Sequence, residues 1–416
     1  MTTTHAALVR RRSAVFALFF APGLTISSWV TRTPDVRDLL DASTAQMGLV
    51  LFGLSAGSMT GIVCSGALVK RWGTRAVIAV GTGAVAVGAA VIGVGAAAGA
   101  AVLVALGLGV FGLGTGGGEV ALNVEGAEVE RLIGRSTLPA MHGFFSLGTV
   151  VGAVCGMALT AVGFSVPVHL LVVALVVVAM LLRFLRALPA GDTGQRAEAG
   201  PGEAARSGAS VWREPRLILI GCVILALALA EGTANDWLPL VMVDGHGFDA
   251  ALGSAVYAVF AASMTLGRFV GGRFVDRFGR AVALCASALV GAAGLALVIF
   301  VDQQAVAAGA AVLWGLGASL GFPVALSAAA DSGPNPAARV SLAATLGYVA
   351  FLVGPPSLGF LGDRFGLRHA LVLVLVLVAA AAFATPAARS ADRPLPSRLV
   401  TAADDRRPGR RDSHRH

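Results

Sequence analysis

Charged side chains are scarce in this chain. Only 13% of its 416 residues are Asp, Glu, Lys or Arg, about half the share of an ordinary soluble domain. That deficit excludes the polar shell a water-soluble enzyme needs. Four cysteines, Cys64, Cys155, Cys222 and Cys285, all fall in or beside apolar runs. None has ligand or framework spacing, which excludes a disulfide scaffold and a thiolate metal site. Phosphate-cradle signals are also missing. Gly114 to Gly118 is glycine-rich but lies inside an apolar run with no preceding strand, so it fails the context such a loop requires. ATP is not expected as an energy source, and no cofactor, metal or enzymatic activity is expected. The net charge of +8 does not point to nucleic acid, because the basic residues sit in short inter-helix segments and the C-terminal tail, not on one folded face.

Apolar residues are what the sequence has in quantity. They make up 56% of the chain, with a mean hydropathy of +0.81, and they come in long runs. A bilayer core about 30 Å thick needs about 20 helical residues to cross it. Runs of that length occur at 13–31, 46–69, 77–96, 100–124, 138–161 and 166–186, then at 216–240, 251–271, 281–301, 305–326, 340–361 and 368–387. The Arg10–Arg12 cluster before the first run resembles a signal peptide, but the run is too long and lacks a small-residue cleavage site, so it reads as the first span. The 54 glycines suit close helix contact in lipid, where small residues let backbones approach.

The expected organisation is an N-terminal six-helix bundle over 1–187, a polar cytoplasmic linker over 188–215, a C-terminal six-helix bundle over 216–387 and a disordered cytoplasmic tail over 388–416. With twelve alternating passes, all Lys and Arg residues but four (Arg32, Arg37, Arg364 and Arg368) fall on the side of the termini. The positive-inside rule then places both termini in the cytoplasm and the protein in the inner membrane.

Two loops at matched places in the two halves look alike. Gly66-Ala-Leu-Val-Lys-Arg-Trp-Gly-Thr-Arg75 follows the second run, and Gly272-Arg-Phe-Val-Asp-Arg-Phe-Gly-Arg280 follows the eighth. A third copy, Gly359-Phe-Leu-Gly-Asp-Arg-Phe-Gly-Leu-Arg368, precedes the last run and falls on the opposite side. Recurrence at matched positions marks an internal repeat.

These loops resemble the signature loop of the major facilitator superfamily. More local stretches, Trp29 to Asp35, Asn123 to Glu130, Met141 to Gly148 and Glu231 to Trp237, resemble the bacterial subgroup near the fucose permeases. The resemblance implies an all-α membrane protein of two six-helix bundles, one central cavity and alternating access by rocking, with a monomer as the expected state. Lys70 departs from the pattern, standing where the first loop's aspartate belongs. The second loop keeps Gly272, Asp276, Arg277, Gly279 and Arg280 as an expected gating loop.

Polar residues inside spans are costly and by default face a cavity or a partner. Glu119 and Asn123 share a face one turn apart in the fourth run, and His142 opens the fifth at similar depth, so Glu119 and His142 are placed to share a proton. The alternative is that His142 bonds a neighbouring helix and Glu119 anchors near the inner headgroups. In the seventh run Glu231 and Asn235 share a face, followed by Asp236 and Trp237. Arg32, between Trp29 and Pro34, is placed to attract a polar or anionic solute, or else to snorkel. Trp29, Trp237, Tyr257, Trp314 and Tyr348 are candidate cavity-lining aromatics, each competing with plain packing. Arg268 is expected to steady the Asp276 loop, and Pro355-Pro356 to break or kink the eleventh helix. Together these predict a secondary transporter of a small solute coupled to protons, with sugar-like uptake first. Proton-antiport efflux of drugs or metabolites is the alternative, and a non-transporting sensor or scaffold ranks below both.

Overall fold

The computed structural model describes residues 5–134, 137–189, 214–333 and 335–389. Most of the expected linker and tail, 190–213 and 390–416, lies outside the described residues, as does Arg135. The described residues are helical, with no strand among them.

The first set of helices is α1 (His5–Val30), α2 (Thr33–Leu40), α3 (Thr44–Ala97), α4 (Ala101–Ile133), α5 (Leu138–Ala161) and α6 (Val166–Phe184). The second set is α7 (Pro215–His246), α8 (Ala250–Phe278), α9 (Arg280–Phe300), α10 (Gln304–Ala318), α11 (Gly321–Ala330), α12 (Pro336–Phe365) and α13 (Leu367–Ala384). Eleven helical stretches are long and apolar enough to cross a membrane. The 54-residue α3 makes two of the crossings, because Gly73, at φ 78° and ψ 162°, breaks it into two arms. The tenth pass is divided between α10 and α11. Twelve passes in two sets of six result. The short α2 lies between the first two passes.

Local sequence explains where the helices begin. Ser43 and Gln46 form a reciprocal capping box at the start of α3, satisfying two amides that have no partner in the helix. Asp249 accepts from the Leu252 amide at 2.8 Å to start α8. Proline opens α6, α7 and α12, where its missing N–H costs nothing. Of the two expected outcomes at Pro355 and Pro356, a break does not occur: α12 runs through both. Their stretch lies against Gly48 of α3, close enough that a Cβ on Gly48 would sit 2.8 Å from the Pro355 carbonyl oxygen. Neighbouring helices cover the backbone there, which is how prolines are tolerated inside membrane helices.

Packing follows the small residues. Gly53, Gly57 and Gly61 on the first arm of α3 lie against the backbone oxygens of Ala105, Gly109 and Leu113 on α4, with no room for a Cβ at any of the three. That four-residue spacing lets two backbones touch along one stripe. Large apolar side chains such as Val102, Leu106, Leu175, Leu266 and Phe383 are left exposed, as lipid contact requires.

Both described chain ends lie at one face of the bundle, here the terminal face, and the other is the distal face. One continuous apolar core runs through the second set and the distal half of the first set. A separate cluster, including Leu18, Val69, Ile78, Leu122 and Met141, fills the terminal half of the first set. The two sets are thus fused at the distal face and divided by a cleft at the terminal face.

Candidate functional site in the cleft between the two helix sets

An ion pair and several polar side chains converge midway along the cleft. On α7, Glu231 accepts from the Arg268 guanidinium of α8 at 2.7 Å, and the two side chains are 14% and 30% exposed. From the first set, Glu119 of α4 lies within electrostatic range of both Arg268 and Glu231. Glu119 is exposed although it sits in mid-helix, and its carboxylate makes no hydrogen bond or ion pair among the described residues, while its backbone carbonyl accepts from Asn123 Nδ2 at 3.0 Å. Facing Arg268 of the opposite set, it points to the cleft and not to lipid. Next to it, His142 Nε2 and Asn123 Oδ1 are 2.9 Å apart, and the His142 ring also lies in range of Arg268. Tyr348 on α12 is within range of Glu119. Four helices of the two sets, α4, α5, α7 and α8, therefore bring charge or hydrogen-bonding capacity to one place, and α12 adds the Tyr348 hydroxyl.

Several expectations need correction. His142 pairs with Asn123, not with Glu119, because the two rows of residues meet one turn closer to the terminal face. Arg268 does not steady the Asp276 loop but reaches inward to Glu231. Arg32 does not face the cleft: it is 1% exposed, its Nε donates to His169 Nδ1 at 3.0 Å, and it pairs with Asp35 at 2.9 Å. It ties α1, α2 and α6 together at the distal face. Trp29, Trp237, Tyr257 and Trp314 are each 1% exposed or less and belong to the core, since rings of that size bury more area against neighbouring helices than a cleft wall allows. The Trp314 indole donates to the Ala230 carbonyl at 3.1 Å. Tyr257 donates to Asn235 Oδ1 at 3.2 Å and lies 3.4 Å from the Ser27 hydroxyl, so Asn235 helps to close the distal end. Asp236 is half-buried beside this group, with no hydrogen bond or ion pair among the described residues.

The loop residues Gly272 to Arg280 join α8 and α9 at the terminal face. Gly279 takes φ 80° and ψ 164°, nearly the conformation of Gly73, and this left-handed turn favours glycine. Arg280 pairs with Asp331 at 2.6 Å, Arg277 lies over the Phe278 ring at 5.4 Å, and Asp276 is exposed.

One group escaped the sequence reading. Glu125 of α4 is fully buried and accepts from Arg11 at 2.6 Å and from the Thr74 hydroxyl at 3.0 Å. It locks α1, α4 and the second arm of α3 at the terminal face. A signal was present: Glu125 to Asp331 and Gly73 to Gly279 are both steps of 206 residues, so each half carries an acid at the same offset from its loop glycine.

The sequence profile of the Major Facilitator Superfamily matches residues 13–341. The chain belongs to that superfamily. An uncharacterised MFS-type transporter of Yersinia pestis is 31% identical over 88% of this chain and 93% of its own length. The membrane protein MosC of Rhizobium meliloti is 24% identical over 87% of this chain and 86% of its own. Among solved structures, the nucleoside transporter NupG superposes with a TM-score of 0.76 at 15% identity, over 91% of this chain and 99% of the other. The Escherichia coli fucose:proton symporter FucP superposes with a TM-score of 0.64 at 18% identity, over 92% and 100%. As a major facilitator protein the chain is a multi-pass membrane transporter and not an enzyme, and superfamily members bind small-molecule substrates and usually function as monomers.

Proposed function

We propose that this transporter takes up a small polar, sugar-like solute with protons by alternating access. The observation that carries the reading is the Glu231–Arg268 pair at mid-span with the unpaired carboxylate of Glu119 in range from the other helix set. Ionisable groups inside a bundle are expensive and mark a pathway or a relay. Protonation of Glu231 weakens its hold on Arg268, and Arg268 then attracts Glu119 across the cleft, which favours closing the terminal face. Asn123, His142, Asn235 and Asp236 supply hydrogen-bonding capacity along the same route. A lipophilic drug is disfavoured because Trp29, Trp237 and Trp314 are packed away from the cleft, leaving charged and amide groups to meet the solute. The likeness to a nucleoside transporter and to a fucose:proton symporter supports a polar solute.

In this reading 1–187 and 216–387 rock as two bodies joined by the 188–215 linker. The terminal face is cytoplasmic, supported by the one-sided arginines, and the membrane is the inner membrane. The cleft then opens to the cytoplasm.

A thermal-shift screen of the purified protein against sugars, nucleosides, organic acids and antibiotics tests the solute class, since a ligand of the folded state raises the melting temperature by mass action. Stabilisation by lipophilic antibiotics alone would remove the polar-solute reading.

A further inference from the structure

A pocket lies within the first helix set, between α1, the second arm of α3 and α4. Pro22, Val85 and Leu122 form its apolar walls, and Thr82, Thr115 and Glu119 bring its polar atoms. Its volume is about 240 Å³ with the open mouth included, below the roughly 300–1,000 Å³ of a pocket that holds a whole small molecule. There is room for one group of a solute, not for the solute. Glu119 stands at the edge and faces the cleft.

The three polar side chains offer oxygens whose lone pairs are unclaimed. The Thr115 hydroxyl donates to the Phe111 carbonyl at 3.0 Å, so its proton is spent and only acceptor capacity is left. A helical threonine ordinarily turns its hydroxyl back to a carbonyl one turn earlier, as Thr25, Thr115 and Thr149 do. Thr82 does not: it is 6% exposed, lines the pocket and makes no hydrogen bond among the described residues. The donors around Glu119 are committed elsewhere. Asn123 Nδ2 donates to the Glu119 backbone carbonyl at 3.0 Å, and Arg268 donates to Glu231 at 2.7 Å. Two carboxylates, Glu119 and Glu231, thus stand in range of one guanidinium, and a carboxylate at that depth needs a partner.

We infer that this pocket is the ammonium subsite of the transported solute, and that the solute is a polyhydroxylated amine. A primary ammonium brings three N–H donors and no acceptor, one for each of Glu119, Thr82 and Thr115. Its charge is the counter-ion that Glu119 lacks. A solute hydroxyl fits less well, because it has one donor and its own lone pairs would face three other oxygens. The inference rests on the polar-solute reading and sharpens it: solute and proton use different carboxylates, Glu119 for the ammonium and Glu231 for the proton.

The test is binding to the full chain in nanodiscs, read by isothermal titration and thermal shift. Hexosamines and amino-alditols are compared with their neutral parents and N-acetyl derivatives, beginning with glucosamine, glucose and N-acetylglucosamine. At least one amine is expected to bind about tenfold or more tighter than both its parent and its N-acetyl form, the factor that hydrogen bonds to a charged group supply. Thr82→Val and Thr115→Val keep the shape and remove the oxygen, and each is expected to lower that ratio about three- to tenfold. Glu119→Gln is expected to abolish it. Because the ratio is read within each variant, a loss of folded protein cancels. Amines that bind no tighter than their neutral parents, or not at all, overturn the subsite and leave the polar-solute reading to the neutral compounds. An amine preference that survives all three substitutions places the ammonium elsewhere and overturns it as well. Stabilisation by NaCl but not KCl, without an amine preference, makes the pocket a metal-ion site instead. Stabilisation by lipophilic antibiotics alone removes the polar-solute reading and the subsite together.

Discussion

Glu231 and Arg268 are 37 positions apart in the sequence and 2.7 Å apart in space, on two helices that meet in the cleft of a membrane protein. Removing the charge from either one changes what the other must find as a partner.

Replacing Glu231 with Gln keeps the shape and removes the titratable group. Flux driven by a pH gradient in proteoliposomes should fall at least about tenfold, equivalent to about 1.4 kcal/mol or more, while exchange of solute without a gradient persists. Gradient-driven flux at the parent rate would take Glu231 out of the coupling step.

Arg268→Ala leaves the Glu231 carboxylate without its partner. Because Arg268 is partly exposed, the expected loss of stability is about 1–3 kcal/mol, read as a lower melting temperature in detergent. The double variant Arg268→Ala/Glu231→Ala should regain part of that loss, since contacting residues are not additive. Simple additivity would show that the two side chains do not act as a pair.

At Glu125 the stakes are higher, because Glu125 is fully buried and the Arg11 side chain is only 10% exposed. Glu125→Ala strands that guanidinium and should cost about 3–5 kcal/mol. Glu125→Gln, which can still accept from Thr74, should cost less. Equal, small effects on the melting temperature would mean that Arg11 finds water or lipid headgroups instead.

Gly57→Leu places a side chain where α3 and α4 touch. A Cβ there already falls on the Gly109 carbonyl oxygen, so the helices must separate. Overpacking of this kind costs about 1–3 kcal/mol or more, and the variant should be recovered in low yield with early aggregation on size exclusion. Gly83→Leu, where a Cβ meets nothing within 4 Å, is the matched control and should behave as the parent.

Much of this molecule was legible in one dimension. The twelve passes, the pairing of six with six and the recurring loop follow from the lengths of apolar runs and from glycine spacing, because a bilayer imposes the same crossing length on every helix and leaves little choice of secondary structure. The sequence also marked Glu119, Asn123, His142, Glu231 and Asn235 as worth explaining, since a polar group in a span always needs a reason. It did not assign their partners. His142 goes to Asn123 and Glu231 to Arg268, Arg32 turns away to His169, and the large aromatics pack into the core, because each of these outcomes depends on how helices are rotated about their axes and how far they slide past one another. Those rotations are set by backbone contacts such as Gly57 against Gly109 and Gly48 against Gly359, between residues far apart in the chain. Hydropathy fixes that a helix crosses the membrane; only the three-dimensional packing of small residues decides which of its faces meets the cleft.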